Sequence, residues 1–178
     1  MDNAASSYRR FLDGDEGAFD DIMAELFDNL VFFINRYLHD IPASEDIAMD
    51  VFVDLIVKKH KYNFKASLKT YVFMIGRSRA LNYLKRQKRI VGNNFALEAE
   101  CSSAESIAQI QQNKQEILQA LDKLSVDMQT AVYLVYFEDM SYEDAASVMK
   151  KSKKQIDNLL YRAKKELRTI LGKDGDLI

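Results

Sequence analysis

The chain of 178 residues has little of what interrupts or cross-links a fold: one proline, six glycines, one cysteine and no tryptophan. So few breakers argue against an all-β sandwich and for a mostly helical chain. A lone cysteine, Cys101, excludes an intramolecular disulfide, and with only His39 and His60 beside it the set is too small for a Cys/His zinc cluster. A reducing, cytoplasmic setting is expected. There is no Gly-x-x-x-x-Gly-Lys phosphate loop, and His39, His60 and Cys101 form no acid–base or nucleophile motif. No catalytic residue, metal or cofactor is therefore expected, and an enzyme is the least favoured class. The N-terminus carries no apolar signal core, and no apolar run approaches the roughly 18 residues of a membrane span, so neither export nor insertion is expected. At 48% hydrophobic and 29% charged, the composition is that of a globular protein.

The net charge of −2 hides a strong segregation. From Asp13 to Asp54 twelve acids face one base, Arg36; from Lys58 to Arg89 there are eleven bases and no acid. The pattern recurs, with ten acids against Lys114 and Lys123 from Glu98 to Asp144, then nine bases against Asp157 and Glu166 from Lys150 to Lys173. One charge run alone is an ordinary solvated helix face. Two acidic-then-basic units suggest two modules, each with one face for a basic partner and another for a polyanion.

Apolar residues from Phe19 to Tyr37 recur at spacings of three and four, which predicts a helix over Asp15 to Leu38. Pro42 breaks it, and Ser44 suits the cap of a second helix over Asp46 to Lys59. In that helix Ile47, Ala48, Val51, Phe52, Leu55 and Ile56 face inward, and Glu45, Asp46, Asp50 and Asp54 form an exposed anionic face. Ser67 can cap a third helix running to about Arg89, whose last turn holds Lys85, Arg86, Lys88 and Arg89. The aromatics Tyr62, Phe64, Tyr71, Phe73 and Tyr83 interleave with Lys65, Lys69, Arg77, Arg79 and Lys85, a mixture suited to unpaired nucleic acid. Phe64, in the break, is the better stacking candidate, while Tyr71 lies on the apolar side and reads first as core. A linker over 93–113 separates residues 1–92 from a second module at 114–178. There, helices are expected over Gln115 to Leu124, Val126 to Phe137 behind the cap Ser125, Tyr142 to Met149 and Lys153 to Leu171. Ser152 and Gln155 make a capping-box pattern. The last two helices read as a helix-turn-helix, with Ser152, Lys153, Lys154, Asp157, Asn158, Tyr161, Arg162 and Lys165 outward. Lys and Arg suit phosphates or guanine edges, and Asn158 suits adenine.

The segments SEDIAMDVF, the run from Leu124 to Ala146 and the ending Leu160-Tyr-Arg-Ala-Lys-Lys-Glu-Leu167 resemble the bacterial extracytoplasmic-function sigma factors, and the resemblance spans nearly the whole chain. It implies an all-α protein of two helical domains joined by a flexible linker. It further implies that Glu45, Asp46, Asp50 and Asp54 dock on the clamp helices of core RNA polymerase, and that the helices preceding the helix-turn-helix grip the flap. Residues Phe64, Lys65, Ser67, Lys69, Tyr71, Arg77, Ser78, Arg79, Lys85 and Arg86 would read and melt the minus-10 element, with an unpaired base held by the Tyr62 to Ser67 loop. The C-terminal module would read duplex minus-35 DNA. An anti-sigma factor is admitted as a further partner.

The chain departs from the family pattern at several places. Tyr71 stands where Trp is usual, Ser78 where Asn is frequent, and Asp157, Asn158 and Leu159 where Lys, Ser and Arg are frequent. Lys150 replaces the common glycine of the turn, where a side chain fits at modest cost so long as φ stays negative. The competing reading is a stand-alone helix-turn-helix regulator or polymerase-binding adaptor. The acidic face of Asp46 to Asp54 speaks against a simple repressor, which has no use for it.

Overall fold

The computed structural model describes residues 3–59, 61–91 and 120–171. The expected linker, Cys101, His60 and the first half of the helix expected over Gln115 to Leu124 lie outside them. The described elements are α1 (Asn3–Leu12), α2 (Gly17–Leu38), α3 (Ile41–Val57), α4 (Leu68–Val91), α5 (Val126–Val132) continued by a π-helical turn (Tyr133–Phe137), α6 (Tyr142–Met149) and α7 (Lys153–Leu171). Among the described residues there is no strand, and no helix is long and apolar enough to cross a membrane. The chain divides into two compact units. The first contains α1 to α4, and the second holds α5, α6 through Ala146, and α7.

In the first unit α2 is the central helix, packed by α1, α3 and α4. Its stripe Phe19, Ile22, Leu26, Leu30, Phe33, Ile34 and Tyr37 is buried, as the spacing demands. It ends at His39, which takes the left-handed conformation with φ 54° and donates its N–H to the Asn35 carbonyl. The break before α3 is shorter than the expected one. Asp40, not Ser44, caps α3 by accepting from the Ala43 N–H at 3.1 Å, and Pro42 lies inside the first turn. The physical reason is that the first-turn amides have no intrahelical acceptor, so a proline there starts a helix as readily as it stops one. Ser44 is buried instead and donates its hydroxyl to the Asp40 carbonyl at 2.6 Å. Ile56, expected inward, is exposed together with Met49, Val53 and Val57.

Helix α4 reaches α2 at Gly76. A Cβ built there would stand 2.7 Å from Leu30 Cδ1 and 3.4 Å from Ile34 Cδ1, so the two helices approach closely because this residue has no side chain. One turn earlier Phe73 is fully buried with its ring centroid 4.9 Å from that of Phe33. One residue later Arg77 Nε donates to the Tyr37 hydroxyl at 3.3 Å. Ser67 caps α4 as expected, accepting from the Thr70 N–H at 3.0 Å.

Helix α1 has no counterpart in the sequence reading. Its Ala4, Tyr8 and Phe11 are buried, and the Tyr8 hydroxyl donates to the Leu55 carbonyl at 2.9 Å, tying α1 to the last turn of α3.

In the second unit, α5 packs on α7. Ser125 caps α5 through the Met128 N–H at 3.4 Å. The capping box before α7 is complete: Gln155 N–H donates to Ser152 Oγ at 3.2 Å, and Ser152 N–H donates to Gln155 Oε1 at 2.7 Å. Lys150 holds φ 53° and Asp139 φ 51°, so the turn before α7 keeps a left-handed residue although its side chain is Lys.

Two stability outcomes follow from these positions. Gly76→Val should lower stability by about 1 to 3 kcal/mol through overpacking against Leu30 and Ile34, as read by urea unfolding of the whole chain. Lys150→Gly should raise the unfolding midpoint, since relief of the left-handed cost exceeds the added chain entropy by about 0.5 to 1 kcal/mol.

Candidate polymerase and nucleic-acid interfaces

On α3, Glu45, Asp46 and Asp50 are exposed, but Asp54 is not a free acid on that face. Its side chain is 26% exposed, and its carboxylate accepts Arg79 Nη2 at 2.6 Å and Lys58 Nζ at 2.5 Å. Arg79 Nη1 also meets Asp50 Oδ2 at 2.9 Å, where Asp50 is 66% exposed. The guanidinium expected at DNA thus bridges two acids expected at polymerase. The partly shielded Asp54 pair ties α4 to α3, and the exposed Asp50 pair adds little to it. The Lys58 hydrogen bond, followed by that from Arg79, holds the Asp54 carboxyl below the usual aspartate range despite partial burial.

The exposed face of α3 is also less anionic than the charge count implied. Met49, Val53, Ile56 and Val57 lie exposed among the acids, with Val57 71% accessible. A surface of this kind, apolar groups with acids beside them, is suited to a protein partner.

The break between α3 and α4 is an aromatic nest. The Tyr62 ring lies 4.6 Å from Phe64, 5.1 Å from Tyr71 and 5.6 Å from Tyr8, centroid to centroid. The Tyr62 hydroxyl donates to the Ala66 carbonyl at 2.7 Å, closing the loop, and Lys65 N–H donates to Asn63 Oδ1 at 3.1 Å. Phe64 is half-buried and holds φ 58°, an uncommon conformation for a bulky side chain. Tyr71 is half-buried, and burial, with Asp54 nearby, pushes its phenol above the usual tyrosine range. It also lines a recess of about 200 Å³ with Asp54, Leu55, Lys58, Lys61 and Ile75.

The other expected minus-10 residues divide between scaffold and surface. Ser67 is engaged in the cap, Arg77 in its bond to Tyr37, and Arg79 in its two ion pairs. Lys69 Nζ lies 6.0 Å over the Phe73 ring, and Ser78 is half-buried. Lys65, Lys85 and Arg86 are exposed. Phe73, placed among the interleaved aromatics, is core.

On α7, the buried Ile156, Leu160, Ala163 and Leu167 put Lys153, Lys154, Asp157, Asn158, Tyr161, Arg162 and Lys165 on the exposed side, with Ser152 at its cap. Tyr161 is 70% exposed. Lys153 Nζ pairs with Glu143 Oε1 at 2.5 Å, a hydrogen bond that raises the Lys153 pKa and lowers that of Glu143. Two contacts were not foreseen: Lys151 pairs with Asp127 at 3.0 Å, and Lys164 Nζ lies 5.5 Å from the Tyr136 ring. Charge counting has no means of pairing residues this far apart in the chain. Helix α1 was the larger omission, although the Ala4, Tyr8 and Phe11 spacing of four and three carried its signal.

An exposed recognition helix entered through a capping box, together with a basic aromatic loop, defines a helical nucleic-acid-binding protein of two modules. The comparisons with known proteins narrow this class. Residues 22–90 match the model of sigma-70 region 2, and residues 114–167 match that of sigma-70 region 4. The chain is 21% identical over 162 residues to the RNA polymerase sigma factor YlaC of Bacillus subtilis, covering 88% of this chain and 94% of that one. It is 22% identical over 169 residues to the ECF RNA polymerase sigma-E factor of Escherichia coli K12, covering 86% of each. The sigma factor RpoE of Bartonella quintana, solved in complex with the anti-sigma factor NepR, shares the fold with a TM-score of 0.71 at 22% identity, over 89% of this chain and 98% of that one. The chain belongs to the sigma-70 family and is an RNA polymerase sigma factor of the extracytoplasmic-function type.

Because Asp54 is held in its charged form by Lys58 and Arg79, its folded pKa lies below its unfolded one. Its contribution to stability is present above the ordinary aspartate range, near about pH 4, and is lost as pH falls through the depressed value. Thermal unfolding followed from about pH 6 to about pH 3 should show a steeper acid loss for the wild type than for Asp54→Asn, which starts lower. By the same reasoning Asp54→Lys should unfold the first unit while Asp50→Lys leaves it folded, as seen by circular dichroism.

Proposed function

We propose that this sigma factor binds core RNA polymerase through the exposed face of α3, directs it to promoters, and helps open the minus-10 element by capturing unpaired bases. The observation that carries the reading is that the two family regions contain the three surfaces of matching chemistry. The acidic and apolar face of α3 and the aromatic basic loop lie within 22–90, and the outward face of α7 within 114–167. Glu45, Asp46 and Asp50, with the exposed Met49, Val53 and Val57 beside them on α3, serve the clamp helices; Asp54 acts there by holding α3 to α4. The minus-10 site is formed by Phe64, Lys65, Tyr71, Lys85 and Arg86, with Ser67, Lys69, Arg77, Ser78 and Arg79 shaping the helix that presents them. The minus-35 duplex is met by Lys153, Lys154, Asp157, Asn158, Tyr161, Arg162 and Lys165 with the cap at Ser152, and the helices before the turn serve the flap. Residues 1–92 and 114–178 form the two domains, joined by 93–113.

The protein performs no covalent chemistry and requires no cofactor. Strand opening draws on stacking of about 1 to 3 kcal/mol per captured base, against an unstacking cost of a few kcal/mol. It acts in the cytoplasm beside polymerase. An anti-sigma factor is a third partner in this reading, supported by RpoE of Bartonella quintana, solved with the anti-sigma factor NepR, and by CnrH, solved with the cytosolic domain of CnrY.

The test is transcription from a promoter library by bacterial core polymerase with and without the protein. Protein-dependent starts sharing two sequence elements are expected. Core binding without starts would indicate an adaptor, and absence of core binding would overturn the reading. Asp46→Lys combined with Asp50→Lys should abolish core binding in gel filtration while the fold persists. Arg162→Ala should weaken duplex minus-35 binding, with a log–log salt slope shallower by about 0.9 if it meets one phosphate.

A further inference from the structure

The stacking candidate in the α3–α4 loop is not bare. Arg9, on α1, places its guanidinium carbon over the Phe64 ring, 4.9 Å from the centroid. Two further rings of the nest pack against Phe64 at tilted angles: Tyr62 at 4.6 Å, and Tyr8, one residue from Arg9, at 6.2 Å. Phe64 is kept in its left-handed conformation within this stack, and backbone strain of that kind persists only where the surroundings over-determine it. Arg9 itself is exposed and forms no ion pair among the described residues. Its neighbour Arg10 is the opposite case, paired with Asp15 at 2.7 Å and Asp21 at 3.4 Å. Arg9 therefore offers a planar, always-charged group with uncompensated charge above an aromatic support. Exposed Lys61 and Lys65 are in the same loop.

We propose that Arg9 is a direct contact for the unpaired promoter strand, stacking the captured base on its guanidinium and donating to a flanking phosphate, with Phe64 as the support beneath rather than the platform itself. The chemistry suits both tasks. Guanidinium planes stack bases as aromatics do, and the N–H fork matches phosphate oxygens. The proposal rests on the minus-10 reading of the loop and adds to it a residue from a helix outside residues 22–90, the region 2 match.

The experiment uses holoenzyme assembled from bacterial core polymerase and the full chain. The probe is a fork-junction template whose unpaired strand carries the minus-10 element found in the promoter library, titrated with salt. Arg9→Ala should weaken fork binding about tenfold and make the salt slope shallower by about 0.7, the single-strand value for one phosphate. Arg9→Lys should restore the slope but not the affinity, since it keeps the charge without the plane. Arg10→Ala, whose charge is already neutralised, should match the wild type, and core binding should be unchanged in all three. Wild-type affinity and slope in Arg9→Ala would overturn the proposal while leaving the minus-10 reading intact. Full rescue by Arg9→Lys would overturn the stacking role. Wild-type holoenzyme that binds the fork no more tightly than intact duplex would overturn the loop reading, and the proposal with it.

Discussion

The first unit depends on how closely α4 lies against α2. At Gly76 the side chains of Leu30 and Ile34 fill the space where a Cβ would stand, and that approach sets the register along α4. With Gly76 at the crossing, Phe73 falls on Phe33 and Arg77 on Tyr37. The helical period then turns Arg79 toward α3 and leaves Lys85 and Arg86, beyond the packed part, in solvent. A side chain at position 76 would push α4 outward and shift all of these together, because packed cores have few voids to absorb it.

The second constraint is electrostatic and has functional weight. The acids of α3 and the bases of α4 belong to opposite blocks of the sequence, and folding brings part of them into contact. Asp54 receives both Lys58 and Arg79, and Asp50 shares Arg79. The contact at Asp54 is partly shielded from water, so it is screened less than the exposed Asp50 pair, whose net worth is small. The acidic face of α3 and the basic helix α4 are thus fastened by the same guanidinium. What remains exposed on α3 is a mixed strip of acids and apolar side chains, closer to a protein interface than to a purely ionic one.

Backbone strain is tolerated in the turn that leads into α7. Lys150 occupies a left-handed position that costs a side-chain-bearing residue about 1 to 2 kcal/mol. The complete capping box at Ser152 and Gln155 and the buried stripe from Ile156 to Leu167 offset that cost on the other side of the turn. The long row of exposed polar side chains on α7 is the complement of that stripe, since a helix that buries one face must show the other.

The sequence by itself determined the helical class, the limits of α6 and α7, the stripe of α2, and the caps at Ser67, Ser125 and Ser152. All of these are local: they follow from periods of three and four and from hydroxyls that reach amides three residues away. It also carried the three family motifs and the sign of each charge block. Only the tertiary structure decided which charges stay exposed, because pairing Asp54 with Arg79, or Lys151 with Asp127, joins residues about 25 positions apart whose meeting depends on helix packing. The same holds for Pro42, which starts a helix once Asp40 caps it, and for Ile56, left exposed at the end of α3. Arg9 lies over Phe64, 55 positions along the chain, only because the fully buried Tyr8 fastens α1 to the end of α3.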